Sequence, residues 1–314
     1  TNNVGKTTIL EALFMLTGMS LPILSARVNY LRKNGNATLD EARYFFHGID
    51  LQKQPILMAH TTAGARKMRL SASLYIDARA GYGNDGHTGI KQLNIDFGTT
   101  LSGELPYHTL LYTGSNGALE QQTDAKYQEP MRCLFIPSEK SDGNALANFS
   151  TLVKRGKKSI VLDALQAFDP DITGIEALPD GLYLSLKGLK ELLPISMAGD
   201  GVRRVLSILS TIATEDYNVV LIDEIDTGLH YSAHQKLWKA ILSFTSQHDV
   251  QLFATTHNVE CLQSLEKAMG EETAFQPLAA VYTVAKTLKR GFQSYRYSFE
   301  GLKEVVDNAI EIRR

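Results

Sequence analysis

Apolar residues fall at Ile9, Leu10, Leu13, Phe14 and Leu16, the spacing of one helix face, and predict a helix from Thr7 to Leu16. A second amphipathic segment is expected over Leu39–Phe46. The period then shortens. From Met68 to Asp77 the positions Met68, Leu70, Ala72, Leu74 and Ile76 alternate with mostly polar neighbours, as in a half-buried strand. Gln92–Phe97 repeats that alternation, the turn-rich stretch Gly81–Gly86 reads as the connection, and His108–Gly114 is a third candidate strand. Helical spacing returns over Ala145–Phe168, followed by a short β stretch at Gly181–Gly188. The last third alternates: a helix from about Val202, a strand Val219–Glu224, a helix around His234–Thr245, and a strand ending at His257. Alternation of that kind implies a parallel sheet.

The predicted fold is therefore α/β, with a mostly parallel core sheet, an inserted antiparallel β region and a helical lobe. We expect a single domain over 1–314, divided into 1–60, 61–137, 138–210 and 211–314, since there is no internal repeat, low-complexity tract or clean linker. Composition adds constraints. Hydrophobic residues at 44% and charged residues at 21% are ordinary for a globular protein. A net charge of −2 leaves any nucleic-acid contact to a local patch. Two cysteines, Cys133 and Cys261, without ligand spacing argue against a disulfide framework or structural zinc and suit a reducing cytoplasm. No apolar run approaches the ~18–20 residues of a membrane span, so no membrane partner is expected.

Chemistry is concentrated at a few places. The chain opens TNNVGKTT, in which Gly5, Lys6 and Thr7 supply the second half of the phosphate-binding pattern G-x-x-x-x-G-K-[ST]. The leading glycine would fall one position before Thr1, so the sequence is expected to lack its natural N-terminus, including one strand. The apolar run Val219–Ile222 ends in Asp223 and Glu224, which suits a buried strand delivering two carboxylates to a ligand crevice. Asp223 and the Thr7 hydroxyl would hold Mg²⁺ beside ATP, and Glu224 would polarise the attacking water. From Lys6 to Asp223 is far more than one βαβ step, so a large insertion separates the two motifs. Upstream of the carboxylates, Gly199-Asp200-Gly201 opens a helix, where free backbone N–H groups and the helix dipole make a second anion site. Asp226–His230 forms a tight exit from the strand.

In this order the landmarks resemble the ABC-type ATPase superfamily. In detail the GDGVRR, DEIDTGLH and TTHN stretches are similar to its soluble OLD and RecF/SMC-like group, including small OLD-like ATPase subunits of phage-defence systems. The resemblance implies that Asn3, Gly5, Lys6, Thr7 and Thr8 cradle the phosphates and that His257 senses the γ-phosphate. It also implies that Gly199, Asp200, Gly201 and Arg203 form a signature closing over ATP on a second protomer, with Thr227 and Gly228 in the D-loop. The implied partner is a second copy across an ATP sandwich, in a dimer or larger assembly. OLD proteins usually continue into a Toprim-type nuclease domain, and the short tail here leads us to expect any such nuclease as a separate effector. The stretch from Asn258 to Arg314 is too short for such a nuclease and has no D-x-D cluster.

Departures leave alternatives open. Gly199 stands where the family carries serine, with Arg203 or Arg204 as substitutes; His230 stands at the usual D-loop aspartate; Gln52 and Gln54 are candidates for the Q-loop. The fragment Leu101–Glu104 mimics a signature, but Pro106 follows and no helix is expected there. Lys154–Lys158 is a weak candidate for DNA contact against a solvated loop, and Tyr295 and Tyr297 beside Arg296 and Lys289 read equally as a stacking surface or an edge strand. Trp238 is expected in the core. A nucleotide-gated scaffold with little hydrolysis and an ABC transporter subunit remain as alternatives. A P-loop kinase or GTPase leaves the wide motif spacing unexplained.

Overall fold

The computed structural model describes residues 5–33, 38–62, 64–76, 88–138, 145–214, 217–248, 250–287 and 291–307. Asn3 and the Gly81–Gly86 connection lie outside them. The chain forms two compact units, one of Thr1–Leu10 with Leu134–Arg314 and the other of Glu11–Cys133. A first helix, α1 (Lys6–Thr17), matches the expected helix closely and is followed by α2 (Ile23–Lys33). Periodicity did not reveal α2 because its buried face includes Ser25 and Asn29 beside Ala26 and Val28. The amphipathic helix expected over Leu39–Phe46 is instead a short 3-10 segment, Leu39–Phe45. Its Asp40 side chain is drawn away to accept the Ile90 N–H at 2.7 Å.

The Glu11–Cys133 unit is built on a five-stranded antiparallel sheet, β1 (Ile56–Thr61), β2 (Gly64–Ile76), β3 (Thr88–Gly98), β4 (Tyr107–Thr113) and β5 (Leu119–Gln122), paired in chain order. Its core is the alternate residues Met68, Leu70, Leu93, Ile95, Phe97 and Leu111, all essentially inaccessible. The alternation does not predict burial to the end of β2. A register shift at Ser73/Leu74 sets Leu74 opposite Ile90 and leaves Leu74 half exposed, the disturbance expected when a bulge adds one residue to one strand. Leu101–Glu104 lies between β3 and β4 with no helix following. Gln52 and Gln54 are exposed in the segment before β1.

The other unit contains β6 (Cys133–Ile136), α3 (Ala145–Lys154), α4 (Lys158–Phe168), β7 (Ile172–Leu178), β8 (Gly181–Leu186), β9 (Leu193–Pro194), α5 (Asp200–Thr214), β10 (Val219–Ile222), α6 (Tyr231–Gln247), β11 (Gln251–Ala254), α7 (Val259–Glu271), β12 (Val281–Thr287), β13 (Gly291–Tyr297) and α8 (Phe299–Asp307). The expected helix over Ala145–Phe168 is thus two helices. They are divided by Gly156, whose φ of 70° is favourable for glycine and disfavoured for other residues. A three-stranded sheet in the order β11-β10-β6 lies in this unit, with β10 and β11 parallel and Val219 opposite Gln251. Every β10 side chain is buried, which is why the segment reads as a continuous apolar run. Phe149, Leu165, Leu209, Val220, Ile222, Leu237 and Leu265 pack into one core around it. Trp238 joins that core and donates its indole N–H to the Cys261 carbonyl at 2.9 Å.

One buried ion pair anchors the sheet-based unit. Arg66 on β2 donates from Nε to the Leu16 carbonyl at 2.5 Å and from Nη2 to Glu129 Oε1 at 2.6 Å, with both side chains nearly shielded from water. Burial pushes the Glu129 carboxyl above its ordinary range, against the pull of Arg66. Removing one partner strands a charge without solvent, whereas replacing both with apolar groups does not. We expect Arg66→Ala to cost about 3–5 kcal/mol in chemical denaturation, and Arg66→Met with Glu129→Leu to recover most of that loss. A single-variant cost below about 1 kcal/mol would show that the pair does not anchor the unit.

Candidate functional site

The site grows from the ends of three segments. Gly5 precedes α1 with φ of 79°, the left-handed region in which glycine meets no Cβ penalty. The first bond of the α1 ladder is Ile9 N–H to the Gly5 carbonyl at 2.9 Å. The N–H groups of Lys6, Thr7 and Thr8 lie ahead of that bond, at the positive end of the helix dipole, an arrangement suited to phosphate. Thr7 and Thr8 are exposed there.

Asp223 follows the last residue of β10 and is 7% exposed. Its backbone N–H donates to the Ile136 carbonyl at 2.9 Å, fixing the end of β10 against β6. The Thr7 hydroxyl stands 3.2 and 3.1 Å from its two carboxylate oxygens, and the Thr255 hydroxyl donates to Oδ1 at 2.5 Å. Thr255 also accepts the Glu224 N–H at 2.9 Å. One hydroxyl therefore joins both acidic residues to the segment after β11. Periodicity did not mark Thr255; the only trace it leaves in sequence is the pair of threonines before His257.

Glu224 adopts φ of 46°, which is uncommon for a residue with a side chain. The conformation is held from both sides, by Thr255 on its N–H and by the Thr227 N–H donating to its carbonyl at 3.0 Å. The Thr227 hydroxyl donates to Glu224 Oε2 at 3.1 Å, so this D-loop candidate touches the carboxylate directly. Gly228, with φ of 77°, completes the turn. His230 then caps α6: its Nδ1 lies 2.9 Å from the Ser232 hydroxyl and accepts the Ser232 N–H. The histidine at the expected aspartate position thus fills a helix-capping role.

Asp223, Glu224 and His257 all stand beyond their strands, not within them as expected: β10 ends at Ile222 and β11 at Ala254. Lys6 Nζ donates to the Thr256 carbonyl at 2.8 Å and lies 3.3 Å from His257 Nδ1. An ammonium only donates, so that contact requires Nδ1 to accept and the imidazole proton to sit on Nε2. Burial, and then the Lys6 charge, hold the His257 pKa below its ordinary value despite the opposing Glu224 carboxylate. The imidazole is neutral at pH 7.

The signature candidates lie at the start of α5. Asp200 is its first residue, where a carboxylate complements the dipole, and Arg203 Nη2 pairs with Asp200 Oδ1. The Arg203 N–H donates to the Gly199 carbonyl at 3.2 Å. At Gly201 an added Cβ would come within 3.0 Å of the Phe168 ring, so glycine there also serves packing between α5 and α4. In the Lys154–Lys158 run, Arg155 donates to the Thr214 carbonyl and Lys158 to Glu176 at 2.8 Å, tying two of its cations to the protein.

The donor set suits Mg²⁺: a threonine hydroxyl and a carboxylate converge at about 3 Å, both hard oxygens of the kind that ion takes alongside phosphate. Thr7 and Asp223 are the residues that would hold it. Among the described residues no group of three or more His, Cys, Asp and Glu forms an all-protein cage, and none is needed where nucleotide oxygens complete the shell.

Residues 127–262, which carry both acidic residues, Thr255 and His257, match the family described as AAA domain, putative AbiEii toxin, Type IV TA system. An ATP/GTP phosphatase from Helicobacter pylori is 32% identical over 112 residues, 34% of this chain and 30% of that protein, so the match spans under a third of the relative's length. Among solved structures, the SMC head domain from Thermotoga maritima aligns with 66% of this chain and 74% of its own at 9% identity and a TM-score of 0.36. The Smc head domain from Pyrococcus furiosus, bound to the C-terminal domain of ScpA, aligns with 98% and 91% at 9% identity and a TM-score of 0.42. With the helix-opening Gly5-Lys6-Thr7 joined to an acidic residue at the end of a buried parallel strand, inside a segment that matches an AAA domain, the fold is that of a P-loop NTPase.

Proposed function

We propose that this protein binds ATP with Mg²⁺ and hydrolyses it, using the nucleotide to close two copies into a dimer or larger assembly. The observation that carries the reading is the Thr7–Asp223 contact, which brings the phosphate-binding helix and the acidic strand end to one point. The name of the Helicobacter pylori relative and the AAA segment support nucleotide hydrolysis. Backbone N–H groups at the start of α1, with Lys6 and Asn3, receive the phosphates. Mg²⁺, when bound by Thr7 and Asp223, neutralises phosphate charge. Glu224 accepts a proton from the attacking water, its carboxylate held by Thr227 and its backbone by Thr255. Neutral His257 offers an Nε2 proton to the γ-phosphate. Gly199, Asp200, Gly201 and Arg203 close over nucleotide held by the second copy. The work is cytoplasmic, linked to DNA and directed to phage defence through a separate effector such as a nuclease.

A second reading is a nucleotide-gated scaffold with slow turnover. It is favoured by the glycine at position 199, which brings no hydroxyl, and by the pairing of Arg203 with Asp200. The transporter reading has less support, since it needs an LSGGQ-like signature and Gly199-Asp200-Gly201 stands instead at the start of α5.

In the full chain, Glu224→Gln is expected to lower steady-state ATP turnover by about 10²- to 10⁴-fold, the usual contribution of a general base, while ATP binding persists and the dimer accumulates by light scattering. Wild-type binding and assembly without turnover would favour the scaffold, and either no ATP binding by the wild type or binding unaffected by Lys6→Ala would remove both readings.

The pH response of His257 gives a separate check. Its folded pKa lies below the unfolded value, so between the two the unfolded chain binds the extra proton and stability falls as pH drops. As pH is lowered from about 7.5 to about 5.5, the wild type should lose denaturant stability relative to His257→Gln, with a constant difference above about pH 7.5. A difference that does not change with pH would contradict the lowered pKa.

A further inference from the structure

Among the described residues, strands β12 and β13 pair only with each other and form a two-stranded ribbon whose two faces differ. Pairing of Val281 with Tyr297, Thr283 with Tyr295 and Ala285 with Gln293 defines one face. Val281 belongs to the core and Tyr297 packs against it, so this is the inner face. The opposite face carries Tyr282, Val284 and Lys286 on one strand and Phe292, Ser294 and Arg296 on the other. All but Val284 are exposed. Register thus changes the choice of aromatic residues. Tyr295 and Tyr297, conspicuous in sequence, share the inner face, where Tyr297 packs on the core and Tyr295 keeps 49% of its surface accessible. Tyr282 and Phe292 lie on the outer face with 59% and 56% accessible.

That outer face pairs each ring with a cation directly across the ribbon, Tyr282 with Arg296 and Phe292 with Lys286. Lys286 Nζ lies 5.7 Å from the Phe292 ring centroid. From Thr273 to Phe299 the sequence contains Lys286, Lys289, Arg290 and Arg296 and no aspartate or glutamate, in a chain whose net charge is −2. Cross-strand stabilisation accounts for each cation–aromatic pair on its own. It does not account for the complete absence of carboxylates over the whole ribbon, nor for two large rings left to water.

We infer that the outer face of this ribbon binds single-stranded nucleic acid, with Tyr282 and Phe292 stacking on bases and Lys286 and Arg296 meeting phosphates. Aromatic faces serve unpaired bases of any sequence, and cations track the backbone. In a duplex the base faces are already stacked, which makes an outward pair of rings a poor match. Four residues of strand separate the two rings, roughly 13 Å, so they address bases that are not adjacent. The inference gives a surface to the DNA-linked part of the proposed function and rests on that part alone; it does not require ATP turnover.

The test is fluorescence anisotropy of the full chain, without nucleotide, on a labelled oligothymidylate of about 20 nucleotides and on a duplex of equal length. We expect preference for the single strand. Tyr282→Ala and Phe292→Ala should each weaken binding roughly 5- to 150-fold, the range for one lost base stack. Lys286→Gln and Arg296→Gln should each lower the slope of log affinity against log salt by about 0.7, which a merely structural role would not do. ATP turnover measured without nucleic acid should be the same in all four variants, so a failure here is separable from failure of the ATPase reading. Absence of oligonucleotide binding, equal or tighter binding to duplex, or ring variants that bind as wild type would each overturn the inference. So would variants that abolish self-association instead, because the face would then join copies of this chain.

Discussion

The Asp223 carboxylate is the point on which the site depends. It is almost wholly buried, and a buried polar group is costly unless it is hydrogen-bonded. Its donors come from distant parts of the sequence: Thr7 from the first helix and Thr255 from the segment after β11, while its own N–H is fixed on β6 through Ile136. Satisfying one carboxylate therefore ties the start of α1, the acidic strand end and the segment that presents His257 to one point. The local strain at Glu224 belongs to the same arrangement, because the hydroxyl that serves Asp223 also holds the Glu224 N–H. Backbone held in a sparsely populated region persists when its surroundings determine it from several sides, and here two threonines do so.

This economy explains what could be read from the sequence. Gly5, Lys6, Thr7, Asp223, Glu224 and His257 stand out because the proposed phosphate and metal chemistry restricts residue type and order. Thr255 was not, since a hydroxyl that bridges two acidic residues has no periodic or compositional mark. Elements with strong periods, such as α1, β3 and the apolar β10, were legible for packing reasons. Those with polar residues on the buried face or with tertiary side-chain bonds were not: α2 buries Ser25 and Asn29, and in the segment at Leu39 the Asp40 side chain accepts the Ile90 N–H. Alternation in β2 predicted Leu70 correctly and Leu74 incorrectly because a bulge between them is invisible to a period of two.

The same distinction applies to surfaces. Aromatic residues near Arg296 stand out in sequence, yet strand register is what sets Tyr295 and Tyr297 on one face and Tyr282 and Phe292 on the other. Composition restricts any nucleic-acid contact to a local patch, and the strands β12 and β13 carry basic residues and no aspartate or glutamate of their own. In the Lys154–Lys158 run, by contrast, charges that look available in sequence are partly consumed by Thr214 and Glu176.

Lys6 has a consequence of a different kind. Its ammonium is bonded to the Thr256 carbonyl and stands beside the His257 ring, and Asn258, two residues on, is the cap that starts α7. In the proposed function, a phosphate at the start of α1 would compete for the same ammonium protons, and the Thr256 carbonyl would then give up its donor. The contact that Lys6 makes here is thus the one that the proposed ligand has to replace.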